Sequence, residues 1–124
     1  MPSTSAIKKQ LDVLIKQIVK IRDKFTCQKC FKVVEGSNCH ASHVIPVSAG
    51  NKLRWDEKNL KVLCYHHHIN WWHKNPTESG EWFKKSFPDR WKYLEANKGM
   101  IQMKEADFLE LRKTLKSRLK SAGI

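Results

Sequence analysis

Metal-capable side chains recur in closely spaced pairs through the middle of this chain. Cys27-x-x-Cys30 is followed by His40-Ala41-Ser42-His43, then by Asn59, and then by Cys64-x-x-His67-His68. Zinc in a structural role takes thiolate and imidazole ligands in a closed tetrahedron, and two x-x knuckles can pinch one ion between distant segments. Cys27, Cys30, Cys64 and His67 make one such set, with His66 as the alternative fourth ligand. The stretch between the knuckles is crowded with His, Asn, Gly and Lys, so apolar burial alone is a weak basis for folding it. A structural zinc contributes about 10–16 kcal/mol of apparent binding energy in small units. That matches or exceeds the whole stability of a typical domain, about 5–15 kcal/mol. An unmetallated redox pair at Cys27 and Cys30 is the competing reading, but no βαβ pattern accompanies it. Cys39 is the odd cysteine and reads as a small buried residue.

The same spacing depends on compartment. Nothing in the sequence has the roughly 18 consecutive apolar residues of a membrane span. The N-terminus lacks the charged-then-apolar layout of a secretion signal. A cytoplasmic location is therefore expected, where thiols stay reduced and paired cysteines serve metals. The charge narrows the partner. Lys and Arg number 24 against 12 Asp and Glu, a net charge of +12 over 124 residues. An excess of that size points to a polyanion, nucleic acid first and an anionic membrane surface second.

The flanks read as helices around this centre, within a single domain spanning 1–124. Over residues 6–25, Ile7, Leu11, Leu14, Ile15, Ile18, Val19 and Arg22 recur at helical spacing, with Ser5 as a candidate N-cap. This helix packs on the domain or, alternatively, forms a homodimer. Residues 26–76 hold the knuckles, a strand over 40–48 limited by Pro46, a short segment starting near Leu53, an Asp56 cap into Asn59, and a helix from Cys64 to about Asn75. Residues 77–124 form a helical extension: Glu78–Ser86, Pro88–Asn97 with proline in the first turn, a break at Gly99, and Met100 to about Lys120. In the last helix Arg112, Lys113, Lys116, Arg118 and Lys120 form a basic run without an acid. Such a run is usually a solvated face, and it is also a candidate phosphate contact.

The residues not used by zinc suggest chemistry. Hydrolysis of a phosphodiester needs a base to activate water and a cation to stabilise charge on the phosphate and leaving oxygen. On an extended strand His40 and Ser42 point to one face and His43 to the other. One histidine can then hold a metal while another faces a water. His40, His43, Asn59 and His68 in register with a zinc knuckle are the candidate open site.

These residues carry a resemblance. Ser42-His43-Val44-Ile45-Pro46-Val47-Ser48, then Asn59-Leu60, then Cys64 and His68, resemble the HNH endonucleases, whose fold is the ββα-metal finger. Within that group the sequence is similar to phage recombination nucleases of the NinG/Rap type, which act on branched DNA. The match covers roughly residues 27–80. It implies an α+β fold: a small zinc-stabilised ββα-metal core with flanking N- and C-terminal helices. It also implies that His43 is the general base and that Asn59 orients the loop and the base. His68 would be a ligand of a catalytic divalent metal. Ser42 stands where many members have a metal ligand, and His40 is assigned that role instead. Two imidazoles favour manganese, nickel, cobalt or zinc over magnesium.

The function implied is metal-dependent cleavage of DNA, in a phage-type protein acting on branched or recombination-intermediate DNA. Lys52, Arg54, Lys58, Lys61 and Lys74 surround the motif as candidate backbone contacts, which position DNA without reading sequence. Trp55, Trp71, Trp72, Trp82 and Trp91 are either core or stacking platforms, with one of the adjacent pair Trp71 and Trp72 expected to face outward. Two other readings share some of these features. A non-catalytic zinc module that binds nucleic acid explains the charge and the zinc ligands, but leaves His40, His43 and Asn59 without a task. A sequence-specific restriction or homing enzyme shares the chemistry and differs in its products.

Overall fold

A computed structural model describes residues 3–123. Helix α1 spans Thr4–Arg22 and buries Ile7, Leu11, Ile15, Ile18 and Val19, the stripe expected from the spacing. Its cap is Ser3 rather than Ser5: Ser3 Oγ accepts from Ala6 N at 3.1 Å. After α1, Lys24 and Phe25 both take positive φ and turn the chain back. The Cys27–Cys30 knuckle follows, closed by a bridge between Thr26 and Val33.

The sheet has two antiparallel strands, β1 (His40–His43) and β2 (Leu60–Leu63), with His40 opposite Leu63 and His43 opposite Leu60. The first strand is shorter than the sequence suggested. Beyond His43 the chain leaves the sheet through Pro46 into a 3₁₀ turn at Val47–Ala49, because proline has no N–H for a ladder. The second strand begins after Asn59 and not near Leu53. Asp56 caps a 3₁₀ turn at Glu57–Asn59 that delivers the chain into β2. All four residues of β2 are buried, since the strand lies between α1 and the aromatic side chains that follow it.

After β2 comes a helical segment, His66–Trp72, wound with π-type rather than α-type bonds. Helices α2 (Pro76–Ser86) and α3 (Pro88–Asn97) each place proline in the first turn. Helix α4 (Glu105–Gly123) starts later than expected and packs back on α1 through Phe108 and Leu115. Between α3 and α4, Gly99 O accepts from Lys52 N at 3.0 Å. Gly50 permits this approach, because it sits at φ +138° and a Cβ there would lie 2.3 Å from Gly99 O. The protein is therefore α+β and mainly helical, with a small two-stranded sheet. One apolar core joins α1, β2 and α4; a smaller one gathers Val44, Leu53, Phe83 and Leu94. Among the described residues no helix is long and apolar enough to cross a membrane.

Candidate metal centre and adjoining histidine cleft

The knuckle reaches β2 through a main-chain bond. Gln28 N donates to Val62 O at 2.9 Å, which sets Cys27 and Cys30 beside Cys64. His67 follows within the next turn and completes the group. The ligand atoms of Cys27, Cys30, Cys64 and His67 all lie within 4.8 Å of one another. Cys64 Sγ is 3.2 Å and Cys27 Sγ 3.9 Å from His67 Nδ1. An ideal zinc tetrahedron has a sulfur–nitrogen edge of about 3.6 Å from its bond lengths, so the four residues fit a structural metal such as zinc. His66 is exposed and outside this group, so the candidate fourth ligand is His67. Burial opposes ionisation of Cys27, but the main-chain N–H groups of Cys30, Cys64 and Lys29 hold its thiol below the ordinary range. A thiolate stabilised in this way is the form that binds metal. Cys39 is buried outside the cluster, and burial pushes its thiol up, away from ligand character.

A separate cleft of about 500 Å³ is lined by His43, His68 and His73, with Lys16 of α1 and Trp91 of α3 on its walls. His43, the last residue of β1, donates Nε2–H to Arg54 O at 3.0 Å. A carbonyl can only accept, so this bond fixes the tautomer and leaves Nδ1 as the basic nitrogen. Burial, with help from Lys16 and Lys61, lowers the His43 pKa and keeps the ring neutral near pH 7.

Asn59 holds the loop that carries Arg54. It is fully buried. Its Oδ1 accepts from Ile45 N at 2.8 Å, and its Nδ2 donates to Ile45 O at 3.0 Å and Leu53 O at 3.1 Å. One side chain thus ties both ends of the 45–53 loop and sets the carbonyl that orients His43. Arg54 itself forms a fork on Asp12, at 2.8 and 3.2 Å, and lies over Trp55.

The other histidines form a chain. His40 Nε2 donates to Ser37 O at 2.8 Å, so its Nδ1 is an acceptor. His68 Nδ1 lies 2.7 Å from it and is therefore the donor. His68 Nε2 is left with its lone pair, 3.0 Å from His73 Nε2. Burial first, then the neighbouring His73 and His40, push the His68 pKa down to about 4, which keeps the His68 ring neutral near pH 7. His40 and His68 do come together, but His40 is not on the cleft: it acts on His68 from behind.

His73 was not singled out from the sequence. Residues five apart do not share a face of an α-helix, where neighbours are three or four apart. The π-type bond from His73 N to His68 O, 3.2 Å, brings the two rings to 4.7 Å between centroids. The only available hint was another histidine in the same predicted helix. Among the described residues, the Cys27 group is the one cluster of three or more metal-capable side chains drawn close together.

Several expected phosphate contacts are placed otherwise. Lys61 is 0% exposed, so it cannot reach DNA. It donates to Ser42 Oγ at 2.9 Å and sits 3.3 Å from the centre of the Trp72 ring. Burial holds its pKa well below the ordinary lysine value. Arg54 is engaged by Asp12, Arg118 makes a fork on Glu57 at 2.8 and 2.9 Å, and Arg112 donates to Gln10. Lys52, Lys58, Lys74, Lys113, Lys116 and Lys120 are exposed. Neither Trp71 nor Trp72 faces outward: Trp71 is buried, and Trp72 packs against both cores. No family model, curated protein or solved structure matches this chain.

Proposed function

We propose that this protein is a metal-dependent DNA endonuclease of the HNH kind, acting on branched or recombination-intermediate DNA. The observation that carries this reading is the hold on His43. Its ring is neutral, fixed by Arg54 O, and turned into a cleft with its second nitrogen unprotonated. That is the arrangement a general base requires. Asn59 supports it through the loop, in the role the resemblance gives the central asparagine. The order β1, loop, β2, helical segment fits a ββα-metal core.

In this reading His43 Nδ1 takes the proton of the water that attacks the phosphodiester. His68 and His73 fit a divalent metal, because their Nε2 atoms approach each other and the tautomer chain from Ser37 frees the His68 lone pair. A metal there would supply positive charge to the phosphate and the 3′-oxygen leaving group. His40 fixes the His68 ring, a role that outer partners of ligating histidines often have. The net charge of +12 supports a polyanionic substrate. The test is a cleavage panel of duplex, single-stranded and four-way-junction DNA with manganese, nickel, cobalt, zinc or magnesium. Metal-dependent cleavage with preference for the junction is expected. Binding of all three without cleavage under any metal would instead support the non-catalytic zinc module.

A further inference from the structure

The histidine cleft does not end at its histidines. Trp91 lines the cleft and also a second hollow, of about 750 Å³, between α2 and α3. Gly80 and Glu81, consecutive on α2, line one and the other. The floor of this hollow is apolar, made by Trp91, Pro88 and Ala96, and its rim carries Lys84, Lys85 and Lys92. Two carboxylates are also present. Glu95 is paired with Lys98 at 2.9 Å, which leaves Glu81 to face three exposed lysines.

We propose that this hollow holds an unpaired DNA strand where it leaves the cleft. A base stacks on Trp91, and the flanking phosphates lie on Lys84, Lys85 and Lys92. The inference rests on the nuclease reading and names the feature of the substrate that the site takes: single-stranded DNA next to the bond that is cut. An indole on a concave floor has a use for the face of a base, and that face is free only in an unpaired strand. A duplex would offer phosphates to the lysines and nothing to the floor. The half-buried Trp91 is the one indole shared by both hollows, so it stands where a strand leaving the cleft would enter the second hollow.

The experiment uses the full chain with its metal and measures binding of a labelled short oligothymidylate across a salt series. The comparison variants are the triple Lys84→Gln, Lys85→Gln, Lys92→Gln and the single Trp91→Leu. The triple variant should flatten the log–log salt slope by about 2, since each phosphate on a single strand contributes about 0.7. Trp91→Leu should weaken binding about 10-fold at unchanged slope, in line with base–aromatic stacking. Trp91 also packs near Phe83, so the triple variant, whose side chains are exposed, carries the test if Trp91→Leu misfolds. In cleavage, a duplex with an unpaired tail should show a KM about 10-fold below that of a blunt duplex, and the triple variant should erase the difference. Unchanged oligothymidylate affinity and slope in the triple variant would overturn the proposal, even if blunt duplex is still cut. Binding that depends on the three lysines in a protein that cuts no DNA would instead remove the nuclease reading and keep the strand site.

Discussion

His43 donates Nε2–H to the main-chain oxygen of Arg54, eleven positions further along the chain. Asn59 grips Leu53, the residue just before that oxygen, and Ile45, two residues past the histidine. The imidazole is thus held by a loop that is itself held by one buried amide. Loss of Asn59 leaves Ile45 N–H and Ile45 O without a partner, while Leu53 O still accepts from Asp56 N at 3.2 Å. At about 1–3 kcal/mol for each unsatisfied buried group, Asn59→Ala should cost at least about 2 kcal/mol. Chemical denaturation measures this directly. A variant as stable as the wild type would show that the loop is held by other contacts.

The zinc set makes a sharper claim at the level of single ligands. Purified protein should contain one equivalent of zinc. Cys27→Ser should lose the metal and unfold the centre of the domain. His67→Ala should weaken zinc binding strongly, and His66→Ala should leave it unchanged, because His66 lies outside the group. Metal analysis by mass spectrometry after dialysis reads all three. Equal loss in both histidine variants would contradict the assignment.

Much of this was legible from spacing. The stripe Ile7, Leu11, Ile15, Ile18 marks α1, and Pro88–Asn97 is helical over the expected residues. The ligands Cys27, Cys30 and Cys64 follow from x-x knuckles that suit one ion. What was not legible depends on partners distant in sequence or on an unusual winding. Asp12 claims Arg54 and Glu57 claims Arg118 across long stretches of chain, and neither pairing leaves a mark in local pattern. Lys61 reads as a surface lysine, since it interrupts the continuous apolar run that would reveal a strand buried on both faces. His73 was hidden by the π-type register, which no local propensity signals.

The exposed cations can be separated from the engaged ones by salt dependence. Lys113, Lys116 and Lys120 are exposed on α4. Replacing them together with glutamine should flatten the salt slope of duplex binding by up to about 2.7, at about 0.9 for each phosphate. Arg118→Gln should leave that slope alone and lower Tm, because its guanidinium is held by Glu57. The reverse pattern would place the phosphate contact on Arg118.

The environment of His43 sets the pH response. Burial lowers its pKa below the usual 6.5. A base works only when unprotonated, and a lowered pKa means the proton leaves at lower pH. The rate should therefore rise through a midpoint on the acid side of 6.5 and level off above it. A profile of kcat/KM against pH on duplex DNA checks it. A midpoint above 6.5 would mean that another group carries the limb, because kcat/KM reports the free enzyme.

The central claim is that His43 takes the proton from the attacking water, and nicking of supercoiled plasmid by His43→Ala tests it most directly. The variant should fold and keep its zinc, since His43 is outside the Cys27, Cys30, Cys64 and His67 group. Its rate at saturating metal should fall by about 10²–10⁴, the range for removing a general base. A folded, zinc-loaded His43→Ala protein that nicks within about twofold of the wild-type rate would contradict the account.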